Sequence, residues 1–179
     1  MRTPDTFWRT RPAGADTQLR RWLLDRGSLT RRIQLHCAAF GLKVLSQRRA
    51  PVRHDEYAVL GAPAGARCVV REVSLNCGGT PVVFAHSAVA PHTLKGAWRM
   101  LSALGARPLG AALFADPRVK RYPLRFRQLG CADALYRRAC ELVEEAPRIL
   151  WARRSLFVLR GSPLLVTEVF LPAILALAP

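Results

Sequence analysis

The chain has 179 residues, half of them apolar, enough for one domain with a real core. Its 28 Lys and Arg against 12 Asp and Glu give a formal charge of +16, which admits nucleic acid, an anionic membrane or a small anion as partner, or simply a solvated basic surface. The basic residues are scattered as Arg pairs (20–21, 31–32, 48–49, 137–138, 153–154) without zinc-finger or RNA-recognition spacing, so no specific nucleic-acid partner is expected.

Residues 1–16, rich in Pro, Thr and Arg, read as a flexible arm, with one domain over 17–179. From Asp16, Leu19, Trp22 and Leu23 recur at helical spacing up to Gly27. Ser28 then suits an N-cap for a helix from Leu29 to Phe40, striped by Leu29, Ile33, Cys37 and Phe40 and stopped by Gly41. Leu42 to Arg53 reads as a strand at a sheet edge, and 54–66 as a loop. Two strands, Arg67 to Asn76 and Pro81 to Ala90, flank Gly78-Gly79, a hairpin signal because such turns need positive φ.

Pro91 to Leu104 carries a helical stripe, and Pro108 opens a short helix to Phe114. Arg121 to Leu129 alternates as a strand, with Arg121, Arg125 and Arg127 on one side. Asp133 to Glu145 is an amphipathic helix ended by Pro147. Ile149 to Arg160 and Leu164 to Leu171 are strands joined through Gly161-Ser162. Hairpins separated by helical insertions predict an α+β domain with a mainly antiparallel sheet.

The five cysteines are odd in number and form no CxxC pair, and the first residues carry no apolar secretory segment. Free thiols in a reducing cytoplasm are therefore expected. The four histidines show no ligand spacing, and His86 reads as a core histidine.

The last strand carries an anomaly. Alternation puts Glu168 on one face with Leu164, Val166 and Phe170, where an unpaired charge would cost several kcal/mol. The strand at Cys68 has a matching misfit: Arg71 shares its face with Val69, Val73 and Leu75. A planar guanidinium is suited to hold carboxylates through paired hydrogen bonds. On pattern alone two readings stay open, a buried Arg71–Glu168 salt bridge or a ligand site between them. Arg153 and Arg154 are candidate extra cations, with a solvated Arg pair as their default reading.

Four segments also carry a resemblance. They are Val70-Arg71-Glu72-Val73 before the Gly-Gly turn, Pro108-Leu109-Gly110 with Leu113-Phe114, Leu150-Trp151-Ala152-Arg153-Arg154-Ser155, and Leu165-Val166-Thr167-Glu168-Val169-Phe170-Leu171-Pro172. In this order and spacing, over about residues 17–172, the chain resembles the chorismate lyase (chorismate pyruvate-lyase) family. The resemblance implies a single α+β domain with an antiparallel sheet of about six strands and helical flaps over a buried site. It also implies conversion of chorismate to 4-hydroxybenzoate and pyruvate, the first committed step toward ubiquinone, without cofactor or metal. Carried over by motif, Arg71 takes the ring carboxylate and Glu168 the 4-hydroxyl, both as catalytic residues, while Leu29 and Leu109 bind substrate through backbone amides and apolar contact. Position 29 is Met in the best-known pattern, and the 130–148 connection is longer than in the shortest members. The alternative is a non-catalytic effector-sensing domain of the same fold, which binds small aromatic acids. A monomer with weak attraction to anionic membrane is expected.

Overall fold

A computed structural model describes residues 7–63 and 65–177. Helix α1 (Thr17–Leu24) is capped by Asp16, whose side chain accepts from Leu19 N–H; helix α2 (Leu29–His36) is capped in the same way by Ser28. Strand β1 (Phe40–Pro51) leads through α3 (Tyr57–Leu60) to the hairpin of β2 (Arg67–Cys77) and β3 (Thr80–Val89). Two 3-10 turns (Pro91–Lys95 and Arg99–Ala103) and α4 (Leu109–Ala115) follow. The chain closes with β4 (Lys120–Arg121), β5 (Arg125–Leu129), α5 (Ala134–Cys140), β6 (Leu150–Leu159), β7 (Ser162–Phe170) and a last 3-10 turn.

The strands form one antiparallel sheet in the order β1-β2-β3-β7-β6-β4, with β5 also paired to β6. The expected strand over 121–129 is divided because Pro123, which lacks an N–H, interrupts it; both pieces then pair with β6. Seven strands thus stand where about six were expected. The second hairpin turns at Arg160-Gly161, both at positive φ, with Leu159 paired to Ser162, one residue earlier than read from sequence.

Other boundaries moved for local reasons. Helix α2 stops at His36 because Cys37 is extended and bonded to Cys77, and Phe40 already pairs with Cys77 as strand. Helix α5 ends at Cys140, after which Leu142 and Val143 bond back only three residues. Residues 7–16 are not the loose arm expected. Trp8 is buried, its indole N–H donates to Asp55 at 2.7 Å, and Arg9 pairs with Phe126 at the sheet edge; residues 1–6 lie outside the described residues.

Both faces of the sheet are covered. Helices α1 and α2 pack on Val73, Leu75 and Phe170, and the 91–115 segment packs on Phe157 and Leu164 through Trp98 and Leu113. The opposite face meets α5 and Trp8 through Phe84 and Val169, and α3 through Val70 and Leu165. No helix among the described residues is long and apolar enough to cross a membrane.

The expectation of five free thiols is overturned by the Cys37–Cys77 bond, with Cα atoms 5.8 Å apart; Cys68, Cys131 and Cys140 remain free. Their separation of 40 residues in sequence made the pair invisible without the fold. The bond ties the end of α2 to the β2–β3 turn. Reduction, or Cys37→Ala, should lower stability by roughly 2–4 kcal/mol. Thermal unfolding with and without reductant measures it, and equal midpoints would contradict the pairing.

On the α5 face, buried His86 lies 3.3 Å from Glu72 and 3.2 Å from Glu56. Glu72 also accepts from Arg138 Nη2 at 3.0 Å. Burial opposes charge on all three groups, but the partners outweigh it. Glu72 is held down to about 2 by His86 and Arg138, Glu56 is held low by His86, and His86 is raised by both carboxylates. The Glu72 contribution is present above the ordinary 4.5 and fades as pH falls toward about 2. The His86 contribution is complete below the ordinary 6.5 and fades as pH rises through its raised value. Stability should therefore peak between these limits in a series of unfolding midpoints from about pH 3 to about pH 9. A His86→Gln variant should lose the alkaline dependence assigned to this group; retention of the full slope would refute the assignment.

Candidate active site

The faces follow strand alternation. Arg71, Ser87, Val166 and Ser155 are successive cross-strand neighbours on β2, β3, β7 and β6, and one step along, Val73, Ala85, Glu168 and Arg153 form a second row. The N-termini of α2 and α4 close over these rows. They meet where Gly110 faces Ser28: a Cβ at 110 would lie 3.1 Å from Ser28 Oγ, so the close approach favours glycine in Pro108-Leu109-Gly110. Beneath lies a mostly apolar cavity of about 630 Å³ including its mouth, lined by Arg71, Glu168, Leu29, Leu109, Arg121 and Ser155 among others. All four residues expected at the site are brought together here.

Arg71 is buried on the apolar face, as alternation indicated. Its Nη2 donates to the carbonyls of Gly105 and Arg107 at 2.8 and 3.4 Å, so the loop entering α4 holds it in place. Its Nε–H is buried with no hydrogen-bond partner among the described residues, and burial lowers the guanidinium pKa. A buried donor without an acceptor costs about 1–3 kcal/mol, so Arg71 keeps an unused hydrogen-bonding group beside the cavity.

Glu168 has a partner, but it is not Arg71. Arg153 Nε donates to Glu168 Oε2 at 2.6 Å from the adjacent strand, so the Arg71–Glu168 salt bridge is replaced by an Arg153–Glu168 pair. The solvated-pair reading of Arg153 and Arg154 is corrected too, since both are buried. Arg153 also donates to the carbonyls of Trp22, Leu23 and Asp25 at 3.0, 3.3 and 2.7 Å, capping the last turn of α1 with positive charge. Arg154 points to the other face, where it bonds Asp55 and stacks over Trp8. The second oxygen of Glu168 has no hydrogen-bond partner among the described residues.

Leu29 and Leu109 are the first residues of α2 and α4, so their N–H groups have no partner within the helix. Arg121 was not anticipated at the site. Its place between Lys120 and Tyr122 gave it no mark distinguishing it from Arg125 and Arg127; only the break at Pro123 and the pairing with Phe157 bring it to the cavity. Among the described residues no group of three His, Cys, Asp or Glu could hold a metal.

A covered antiparallel sheet with an apolar cavity and cationic groups along its floor defines a protein for small organic anions. The comparisons then narrow the class. The model of the family described as Chorismate lyase matches residues 12–177. A "Probable chorismate pyruvate-lyase" of Nitrosospira multiformis is 51% identical over 172 residues, covering 96% of each chain. One from Aromatoleum aromaticum is 51% identical over 181 residues, covering 99% of this chain and 98% of its own. The effector domain of PhnF from Mycobacterium smegmatis matches in structure, with a TM-score of 0.57 at 15% identity over 83% of this chain and 91% of its own; that likeness speaks for the fold alone. The chain belongs to the chorismate lyase family.

Arg153 is wholly buried and Glu168 part-buried, so removing one of the two leaves the other uncompensated. Arg153→Met should destabilise the fold by roughly 3–5 kcal/mol, and Arg153→Met with Glu168→Gln should recover part of that loss. Denaturant midpoints of the four proteins of the cycle measure the coupling; additive effects would show that the pair is not coupled.

Proposed function

We propose that the protein is a chorismate pyruvate-lyase, converting chorismate to 4-hydroxybenzoate and pyruvate, the first committed step toward ubiquinone. The observation that carries the reading is the buried Arg71 Nε, without a partner among the described residues, in a cavity that also holds Glu168, in a chain of this family. Family membership across the chain favours it over the effector-sensing alternative.

Arg71 and Glu168 lie two strands and one row apart, about 11–12 Å between Cα atoms, a span that two inward side chains narrow to the length of a para-substituted benzoate. In this reading Arg71 receives the ring carboxylate, helped by the Leu29 and Leu109 amides. Glu168 turns its free oxygen to the 4-hydroxyl, while Arg153 balances its charge.

The reaction breaks the C3–O bond, removes the C4 hydrogen and yields an aromatic ring. The proton ends on the methyl of pyruvate, so no oxidant or second substrate is required. Because aromatisation drives the chemistry, the residues named have to hold a reactive conformer, exclude water and stabilise the departing enolpyruvate. We also assign the protein to the cytoplasm as a monomer with weak attraction to anionic membrane; the three free thiols favour the location, where the Cys37–Cys77 bond would be open to reduction.

Purified protein with chorismate should give 4-hydroxybenzoate absorbance and an equal amount of pyruvate by a coupled assay. No product above the uncatalysed rate would sink the reading. Arg71→Met and Glu168→Gln should each lower kcat/KM by about 100-fold or more with unchanged circular dichroism; near-native turnover in both would move the site elsewhere.

A further inference from the structure

One cation in the cavity has no part in the steps above. Arg121 pairs with Phe157, and its side chain reaches across to Ser155, the end of the row that begins at Arg71, where Nε and Nη2 donate to Ser155 Oγ at 3.1 and 2.9 Å. Three strand spacings separate Arg71 from Ser155, about 14 Å between Cα atoms. Both arginines line the cavity, so their heads face one small molecule from two directions.

The Arg121 guanidinium is fixed. Its Nη1 donates to the carbonyls of Arg26 and Gly27, and its central carbon lies 5.2 and 5.4 Å from the ring centroids of Phe114 and Phe157. Yet among the described residues no carboxylate pairs with it. Glu168 is held by Arg153 and Asp25 by Arg32. Burial, and then the charge of Arg153, pull its pKa down, and outweigh the opposite influence of Glu168 and Asp25, neither of which is within ion-pair distance.

Ser155 adds chemistry. The hydroxyl is buried and accepts twice from Arg121, which uses both its lone pairs. Its remaining capacity is to donate. The second Nη2 hydrogen of Arg121 and the Ser155 hydroxyl hydrogen together offer two donors to a pair of oxygens.

The geometry points to Arg121 and Ser155 as the seat of a second carboxylate, that of the enolpyruvyl group in the substrate and of pyruvate after cleavage. This rests on the chorismate reading. The charges support it: with Glu168 paired to Arg153, Arg71 and Arg121 line the cavity as two cations with no ion-paired carboxylate among the described residues, and chorismate is a dianion. As the C3–O bond opens, negative charge grows on the enolpyruvate, beside the cation that already holds its carboxylate. Arg121 therefore contributes to the chemical step as well as to binding.

The test separates a ligand with two carboxylates from one with a single carboxylate. Steady-state kinetics with chorismate and calorimetric titration with 4-hydroxybenzoate are measured on wild type, Arg121→Met, Arg121→Lys and Ser155→Ala. Arg121→Met should lower kcat/KM for chorismate by about 100-fold or more while 4-hydroxybenzoate affinity stays within about threefold. Arg121→Lys should regain part of the loss, and Ser155→Ala should lose about tenfold. Near-native kcat/KM in Arg121→Met, or a parallel fall in 4-hydroxybenzoate affinity, would overturn the assignment. If Arg121→Met does not fold, Ser155→Ala decides, and unchanged kinetics there overturn it as well. An inactive wild type defeats the lyase reading and this assignment with it; an active wild type with an unaffected Arg121→Met defeats this assignment alone.

Discussion

The Arg153–Glu168 pair is the contact on which the site depends. A carboxylate on the inner face of a central strand is tolerable only with a partner, and a lone guanidinium beside it would be as costly. Arg153 solves both problems and a third. It sits wholly buried where α1 ends, so the carbonyls that the helix cannot satisfy become the acceptors of its Nη1. One side chain thereby joins the acid of the cavity, the sheet and the first helix of the cover. Such a pair is poor value for stability alone, since apolar residues of similar volume often do as well. Its retention makes sense if the acid is needed where it is.

The same economy appears in how adjacent residues are divided between the two faces. Arg71 and Glu72 are neighbours in β2, yet Arg71 faces the cavity and Glu72 the His86 cluster on the far side. Arg153 and Arg154 divide likewise. The sheet thus carries ionic groups on both sides, each under its own helical cover. Part of the large positive charge is therefore internal: Arg153 and Arg154 are buried and hold carboxylates, and Arg71 and Arg121 line the cavity.

Much of this was legible in the sequence because it is local. Alternation put Arg71 and Glu168 on the correct faces, Asp16 and Ser28 marked two helix starts, and Gly78-Gly79 marked a hairpin. What was not legible depends on which strands lie side by side. Alternation gives a residue's face but not its lateral neighbour, so Glu168 was matched with the cation two strands away instead of the one directly beside it. The Cys37–Cys77 bond failed for the same reason, since its two ends meet only when α2 and the β2–β3 turn are packed together. Arg121 failed because a single proline converted an apparent continuous strand into two short pieces with different neighbours.

These placements also bear on how the cavity empties. Leu29 and Leu109, at the tips of α2 and α4, line the cavity, and the two tips approach each other at Ser28 and Gly110. Movement of either tip would widen the way out of the cavity. Of the two, α2 is tethered at its far end by the disulfide and packs through Ile33 into the main core, whereas α4 follows two 3-10 turns with weaker backbone geometry. The α4 side is thus the side that yields at lower cost. The Arg71 guanidinium is fastened to the carbonyls of the 105–107 loop that leads into it. Movement of α4 would therefore disturb the Arg71 guanidinium and the cover in one step, so in the reading proposed above the segment that orients the aromatic acid is also the one tied to its release.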